Sequence, residues 1–184
     1  MFPYSLSRKI LKYLIRIHQK KTRRNSDGVS YKNALRIAIL SESQTIDTSQ
    51  YIIDFISSIR KDSKEITTLE YLNNSIKLSV KSWKQTQFYL HKKNLNFLNL
   101  PKKEPLKEFL EKEFDIIINL CITDNVYLHY MTAISNAKLK IGAYNPEFES
   151  CYDFMININN ETDINSFVSS VDTYLKMINN NPKK

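Results

Sequence analysis

Glycine is nearly absent: Gly28 and Gly142 are the only two in a chain of 184 residues. That scarcity excludes the Gly-rich GxGxxG turn and the P-loop, because a phosphate cannot approach a backbone closely without such residues. No nucleotide cofactor held in that way is expected. Cysteine is equally scarce, and Cys121 and Cys151 form neither a CxxC pair nor a disulfide framework. Both sit beside apolar residues, as reduced buried thiols do, which favours a cytoplasmic setting. The three histidines, His18, His91 and His129, are far apart, so no local metal-ligand spacing exists and no metal is expected. Charges recur too often near the start for a signal peptide. The longest strongly apolar run, 116–123, falls well short of the roughly 20 residues a membrane span needs. Acids are missing altogether between Glu70 and Glu104.

What is present is an ample apolar fraction, 42% hydrophobic and 11% aromatic, enough for one real core plus an extension. The net charge of +8 is unevenly placed. Residues 1–32 carry a net +8 and residues 71–103 a net +7, whereas 33–70 and 104–184 are mildly acidic at −2 and −5. Two basic tracts on an otherwise acidic protein point to a surface for a polyanion.

The first tract is concentrated in residues 6–24. On a helix, Leu6, Ile10, Leu11, Tyr13, Leu14, Ile15 and Ile17 cover one broad side and Arg8, Lys9, Lys12, Arg16 and Lys20 the other. From His18 onward the apolar side stops and charge wraps all round. A turn at 25–29 containing Gly28 then sets this basic amphipathic helix, residues 1–30, apart from a domain spanning 31–184.

Within that domain, 34–40 (ALRIAIL) and 115–121 (DIIINLC) are almost wholly apolar, the pattern of strands buried on both faces of a parallel sheet. Further strands are expected at 65–72, 95–100, 138–143 and 153–158. Helical spacing marks 51–61, with Thr45, Asp47 or Thr48 as its cap, and 105–114, opened by Pro105. Two more helices are expected, 126–136 capped by Asp124 and one containing Phe167 to Ile178 capped near Asp163. Residues 73–93 fit either element. Strands alternating with helices predict a single three-layer α/β domain, a mostly parallel sheet with helices on both faces, plus the N-terminal basic helix.

The segments NLNFLNLP, FLEKEFDIIINL, AISNAKLKIG, CYDFMI and YLKMIN, in that order, resemble an uncharacterised domain-of-unknown-function family of Bacteroidota cytoplasmic proteins. The resemblance implies α/β organisation and a cytoplasmic location. It brings no active site with it.

In a doubly wound sheet, ligands bind beyond the carboxyl ends of the strands, so the loops after Leu40, Cys121 and Ala143 are where chemistry would sit. Cys121, Asp124 and His129 could form a Cys/His nucleophile, but a buried strand thiol, a cap and a helix histidine explain them better. Asp115 and Asp153 open strands, and Lys138, Lys140 and Gly142 could face an anion or merely water. The second tract interleaves Lys77, Lys81, Lys84, Lys92 and Lys93 with Trp83, Phe88, Tyr89 and His91, a composition suited to unpaired bases and phosphates. These residues predict a non-catalytic polyanion-binding protein, RNA- or ribosome-associated. Its contacts would be Arg8, Lys9, Lys12, Arg16, Lys20, Lys21, Arg23, Arg24, Lys81, Lys84, Lys92 and Lys93. The alternatives are an adaptor whose amphipathic helix meets an anionic membrane surface or a protein partner, and, more weakly, an enzyme acting on a sugar or nucleotide at the sheet's switch point.

Overall fold

The structure is a computed structural model that describes residues 3–21, 29–43, 46–72, 87–158 and 163–178. Helix α1 (Tyr4–Lys21) precedes β1 (Arg36–Glu42), α2 (Ile46–Lys61), β2 (Glu65–Leu72) and β3 (Gln87–His91). A short helix α3 (Lys107–Glu111) leads into β4 (Glu113–Asn119), followed by α4 (Val126–Ile134), β5 (Asn136–Ala143), β6 (Phe154–Ile156) and α5 (Ile164–Met177). The six strands form one sheet in the order β3-β2-β1-β4-β5-β6, and every pair is parallel. The chain first winds outward from β1 through β2 to β3, then returns to place β4 on the other side of β1. The β1/β4 junction is therefore the topological switch point.

Apolar runs in the central strands follow from helices on both faces. Ile37, Ile39, Ile116 and Ile118 pack with α2 and α5, and Ala38, Leu40 and Ile117 with α1 and α4. Asp163 caps α5 as expected, accepting from the backbone N–H groups of Asn165 (3.1 Å) and Ser166 (3.2 Å).

Several local expectations are corrected. Residues 95–100 form no strand: they make a turn with one antiparallel bridge, Leu95 to Pro101, because the Asn96 carboxamide takes the N–H groups of Leu98 and Leu100. The helix expected over 105–114 is a tight turn (Glu104–Leu106) and the five residues of α3, since Phe114 belongs to β4. The cap of α4 is Asn125, which accepts from Tyr127 and Leu128, and Asp124 turns instead to Arg8. The same helix stops at Ile134, with β5 beginning at Asn136. The ambiguous 73–93 resolves as β3 over Gln87–His91 and the start of a short 3-10 turn at Lys92; residues 73–86 lie outside the described residues, as does Thr45. The other two caps expected for α2, Asp47 and Thr48, lie inside the helix, which begins at Ile46.

The first helix lies on α4. Its innermost ridge is Ser7, Leu11 and Ile15, all nearly sealed from water, whereas Leu6 and Tyr13 of the predicted apolar side are 44% and 64% exposed. Spacing of four places these three residues in line, and Ser7 is small enough to let the two helices close together. Gly142 is required by an equally close approach: a Cβ there would lie 2.4 Å from the Tyr152 ring.

Candidate functional site

At the switch point the carboxyl ends of β1, β2 and β4 open into a cleft of about 770 Å³. Glu42, the last residue of β1, forms its floor together with the loop after β4. That loop is shaped by Asn119, whose side-chain Oδ1 accepts from the Cys121 N–H at 3.1 Å, while Leu120 N–H reaches the Leu40 carbonyl at 2.8 Å. The turn carries Thr123 back to Glu42, and its hydroxyl donates to the carboxylate at 2.6 Å. Asp124 and Asn125 complete the polar side.

The opposite wall is aromatic. Tyr71, at the end of β2, and Tyr127, in the first turn of α4, stack with ring centres 5.4 Å apart, and Tyr4 of α1 tilts against Tyr127 at 6.2 Å. Burial, and then the neighbouring phenols, push the Tyr127 hydroxyl up to about 12; burial followed by Glu42 raises Tyr71. Both are thus neutral hydrogen-bonding phenols at physiological pH. Lys92, Leu95 and Asn99 form the far rim.

Cys121 is buried behind the cleft wall, against Glu42 and Thr123. Its sulfur lies 3.1 Å from the Thr123 hydroxyl and 3.7 Å from Glu42, and burial pushes the thiol up to about 12, with the Glu42 charge adding to it. A thiol so placed is not a thiolate nucleophile. Its supposed partner is engaged elsewhere: His129 Nδ1 lies 2.6 Å from the Tyr152 hydroxyl, and its ring stacks on Phe148 at 4.0 Å. Among the described residues no cluster of three or more His, Cys, Asp or Glu could hold a metal ion.

The predicted contact residues divide into groups. Arg8 pairs with Asp124 (2.8 Å) and Glu147, and Lys12 with Glu147 (3.0 Å), so both hold α1 to the domain. Lys9, Arg16 and Lys20 are exposed on the outer side of α1, and Lys92 and Lys93 are exposed after β3. Arg23, Arg24, Lys81 and Lys84 lie outside the described residues, as does the side chain of Lys21. None of the basic groups of β5 is turned to an anion in solution. Lys138 pairs with Asp115 at 2.7 Å, and the buried Lys140 ammonium donates to the Ala133 carbonyl at 2.7 Å, at the negative end of α4. Asp115 also takes the N–H groups of Leu35 (2.8 Å) and Arg36 (3.0 Å) and so clips β1, β4 and β5 together. Glu42, Thr123 and the two stacked tyrosines went unseen as a set in the sequence, because they are brought together only by parallel pairing of distant strands.

Fold and site together define an all-parallel α/β protein with an aromatic and polar cleft at its switch point. The chain belongs to a family of unknown function (DUF6913), whose model matches residues 7–178. Among solved structures it is similar to E. coli heptosyltransferase WaaC with ADP-2-deoxy-2-fluoro heptose, at 11% identity and a TM-score of 0.53. The match covers 82% of this chain and 51% of that one, so the chain spans about half of that enzyme's length. An identity so low speaks for the fold alone. No curated protein matches the sequence. Among the described residues no helix is long and apolar enough to cross a membrane.

Proposed function

We propose that the protein binds a sugar-class ligand, free or carried on a nucleotide, in the cleft between β1 and β4. The observation that carries this reading is the facing of two chemistries across one space. Tyr4 and Tyr127 supply apolar ring surface, and Glu42, Asp124, Asn125 and Asn99 supply donors and acceptors for hydroxyl groups. Sugars present both kinds of surface, a C–H face and a rim of hydroxyls, and largely apolar clefts with a few convergent polar groups are the usual form of small-ligand sites. Without glycines after β1, a phosphate has no backbone cradle at the junction, and the cation on the cleft's far rim is Lys92. The similarity of fold to a heptosyltransferase agrees with this class of ligand. The two buried free thiols, Cys121 and Cys151, support a cytoplasmic setting.

The polyanion reading is narrowed by the ion pairs of Arg8 and Lys12. Among the described residues it rests on Lys9, Arg16, Lys20, Lys92 and Lys93, and titration of the full chain with poly(U) RNA tests it. For the cleft, calorimetric titration of the full chain with hexoses, heptoses, sugar phosphates and nucleotide sugars is decisive. At least one should bind, and Glu42→Gln, which removes a charged acceptor while keeping its shape, should weaken that binding about tenfold or more. Absence of binding by every compound, or an affinity indifferent to both Glu42→Gln and Tyr4→Ala, overturns the proposal.

A further inference from the structure

The outer side of α1 is divided lengthwise. Lys9, Arg16 and Lys20 lie within one narrow sector, at about 100° per residue, and Tyr13 and Leu6 adjoin them. The half-buried Ile10 and Ile17 continue the apolar strip. The helix contains no acid. Arg8 and Lys12, on its inner flank, are matched by Asp124 and Glu147, whereas no described acid pairs with the three outer cations.

A second feature stands beside it. Phe97 is 83% exposed, the most exposed large apolar side chain among the described residues. It is held out by a fixed turn: Asn96 N–H reaches the Leu100 carbonyl at 2.8 Å, and the Asn96 side chain takes the N–H groups of Leu98 (2.9 Å) and Leu100 (3.1 Å). Asn99 closes the turn at a φ of 55°. Exposed lysines bracket it, Lys92 and Lys93 before and Lys102 and Lys103 after. Both features border the same openings. Tyr4 of α1 faces Leu95 and Asn99 across the cleft, and farther along the helix Leu14 and Ile17 share a second groove with Lys103 and Lys107. The two basic tracts thus meet along one edge of α1, with Glu104 and Glu111 the acids of that second groove.

We propose that this face, the outer side of α1 with the 95–101 turn, docks on an anionic lipid surface. Cations next to exposed leucine, tyrosine and phenylalanine match a bilayer interface, where headgroup charge and acyl phase are layered within a few ångströms. An RNA surface would satisfy the lysines and arginine but offers no apolar phase to Leu6, Ile10 and Ile17. Docked in this way, the helix lies flat, its inner ridge still on α4, and the cleft mouth beside Tyr4 and Asn99 opens near the lipid. The proposal stands whether or not the cleft takes a sugar.

The test is co-sedimentation of the full chain with two kinds of vesicle, phosphatidylcholine alone and phosphatidylcholine carrying about 30% phosphatidylglycerol, with poly(U) RNA titrated in parallel. Binding to the anionic vesicles alone, weakened by salt, is expected. Lys9→Glu/Arg16→Glu/Lys20→Glu should abolish it, and Phe97→Ser or Leu6→Ser/Tyr13→Ser should reduce it about fivefold. These side chains are exposed, so unchanged thermal unfolding confirms that the variants fold. Failure to bind anionic vesicles at low salt overturns the proposal. So does binding unaffected by the two apolar replacements, and poly(U) binding tighter than vesicle binding would assign the face to nucleic acid.

Discussion

A histidine buried in an aromatic pocket is a base that folding has weakened. His129 is 3% exposed, and burial lowers its pKa to about 4 from an ordinary 6.5, with the nearby Arg8 cation acting in the same direction and Asp124 against it. Between those two values the unfolded chain binds a proton that the folded chain does not, so stability is complete above the upper one and falls as pH drops. From pH 7.5 to pH 5 this amounts to about 2 kcal/mol, measurable by urea unfolding at both values, and His129→Gln should remove most of the difference. Asp115 adds a second, lower window. Its carboxylate is partly desolvated, yet Lys138 and the two backbone N–H groups hold it down at about 2, so its contribution is present above the ordinary 3.8 and disappears as pH falls toward 2. Tyr152 links this region to β4: its hydroxyl accepts from the Asn119 amide at 2.8 Å and faces His129 Nδ1, while its ring covers Gly142. Gly142→Ala would drive a methyl into that ring and shift this network, costing about 1 to 3 kcal/mol, read as a lowered denaturation midpoint.

Elements differ in how much of their placement the residue pattern carries. The two strands buried on both faces were legible because covering helices leave no polar alternation, and α5 because its cap and apolar spacing agree. The 95–100 segment has strand-like spacing, but Asn96 and Asn99 supply turn chemistry that outweighs it. The cap of α4 was misplaced by one residue: Asp124 and Asn125 are both competent caps, and only the approach of Arg8 from a distant helix decides between them. For α1 the pattern fixed the element but not its docked face. Seven apolar residues make a side too broad for one neighbour to cover, and the ridge in contact with α4 runs through Ser7. Leu11→Ala should therefore destabilise the protein by about 2 to 5 kcal/mol, whereas Leu6→Ala should stay within about 0.5 kcal/mol. Equal effects in denaturant titrations would contradict the orientation of the helix.

For the whole molecule, sheet order is a non-local property, and with it the site. Residues 34–40 and 115–121 announced strands, but nothing local to either says that Glu42 and Thr123 end 2.6 Å apart. The basic tracts were visible as composition. Their division into cations that hold α1 down and cations that face outward became visible only with Asp124 and Glu147 in place. That division joins the first helix to the cleft. Arg8 holds Asp124, which lines the cleft, and the start of the same helix contributes Pro3 and Tyr4 to its wall. Docking of α1 and occupation of the cleft are accordingly linked: a ligand that binds the native arrangement raises stability by about 2.7 kcal/mol at a hundred times its dissociation constant. Arg8→Gln keeps a polar but shorter side chain and removes the charged guanidinium that fixes Asp124. It should reduce the ligand-induced rise in unfolding temperature, and weaken binding of the same sugar about threefold to tenfold, a loss of about 0.7 to 1.4 kcal/mol. Lys12→Gln, which touches Glu147 but not Asp124, should leave the ligand-induced rise intact, and thermal unfolding of both variants with and without sugar separates a cleft wall set by α1 from a helix that merely covers the core.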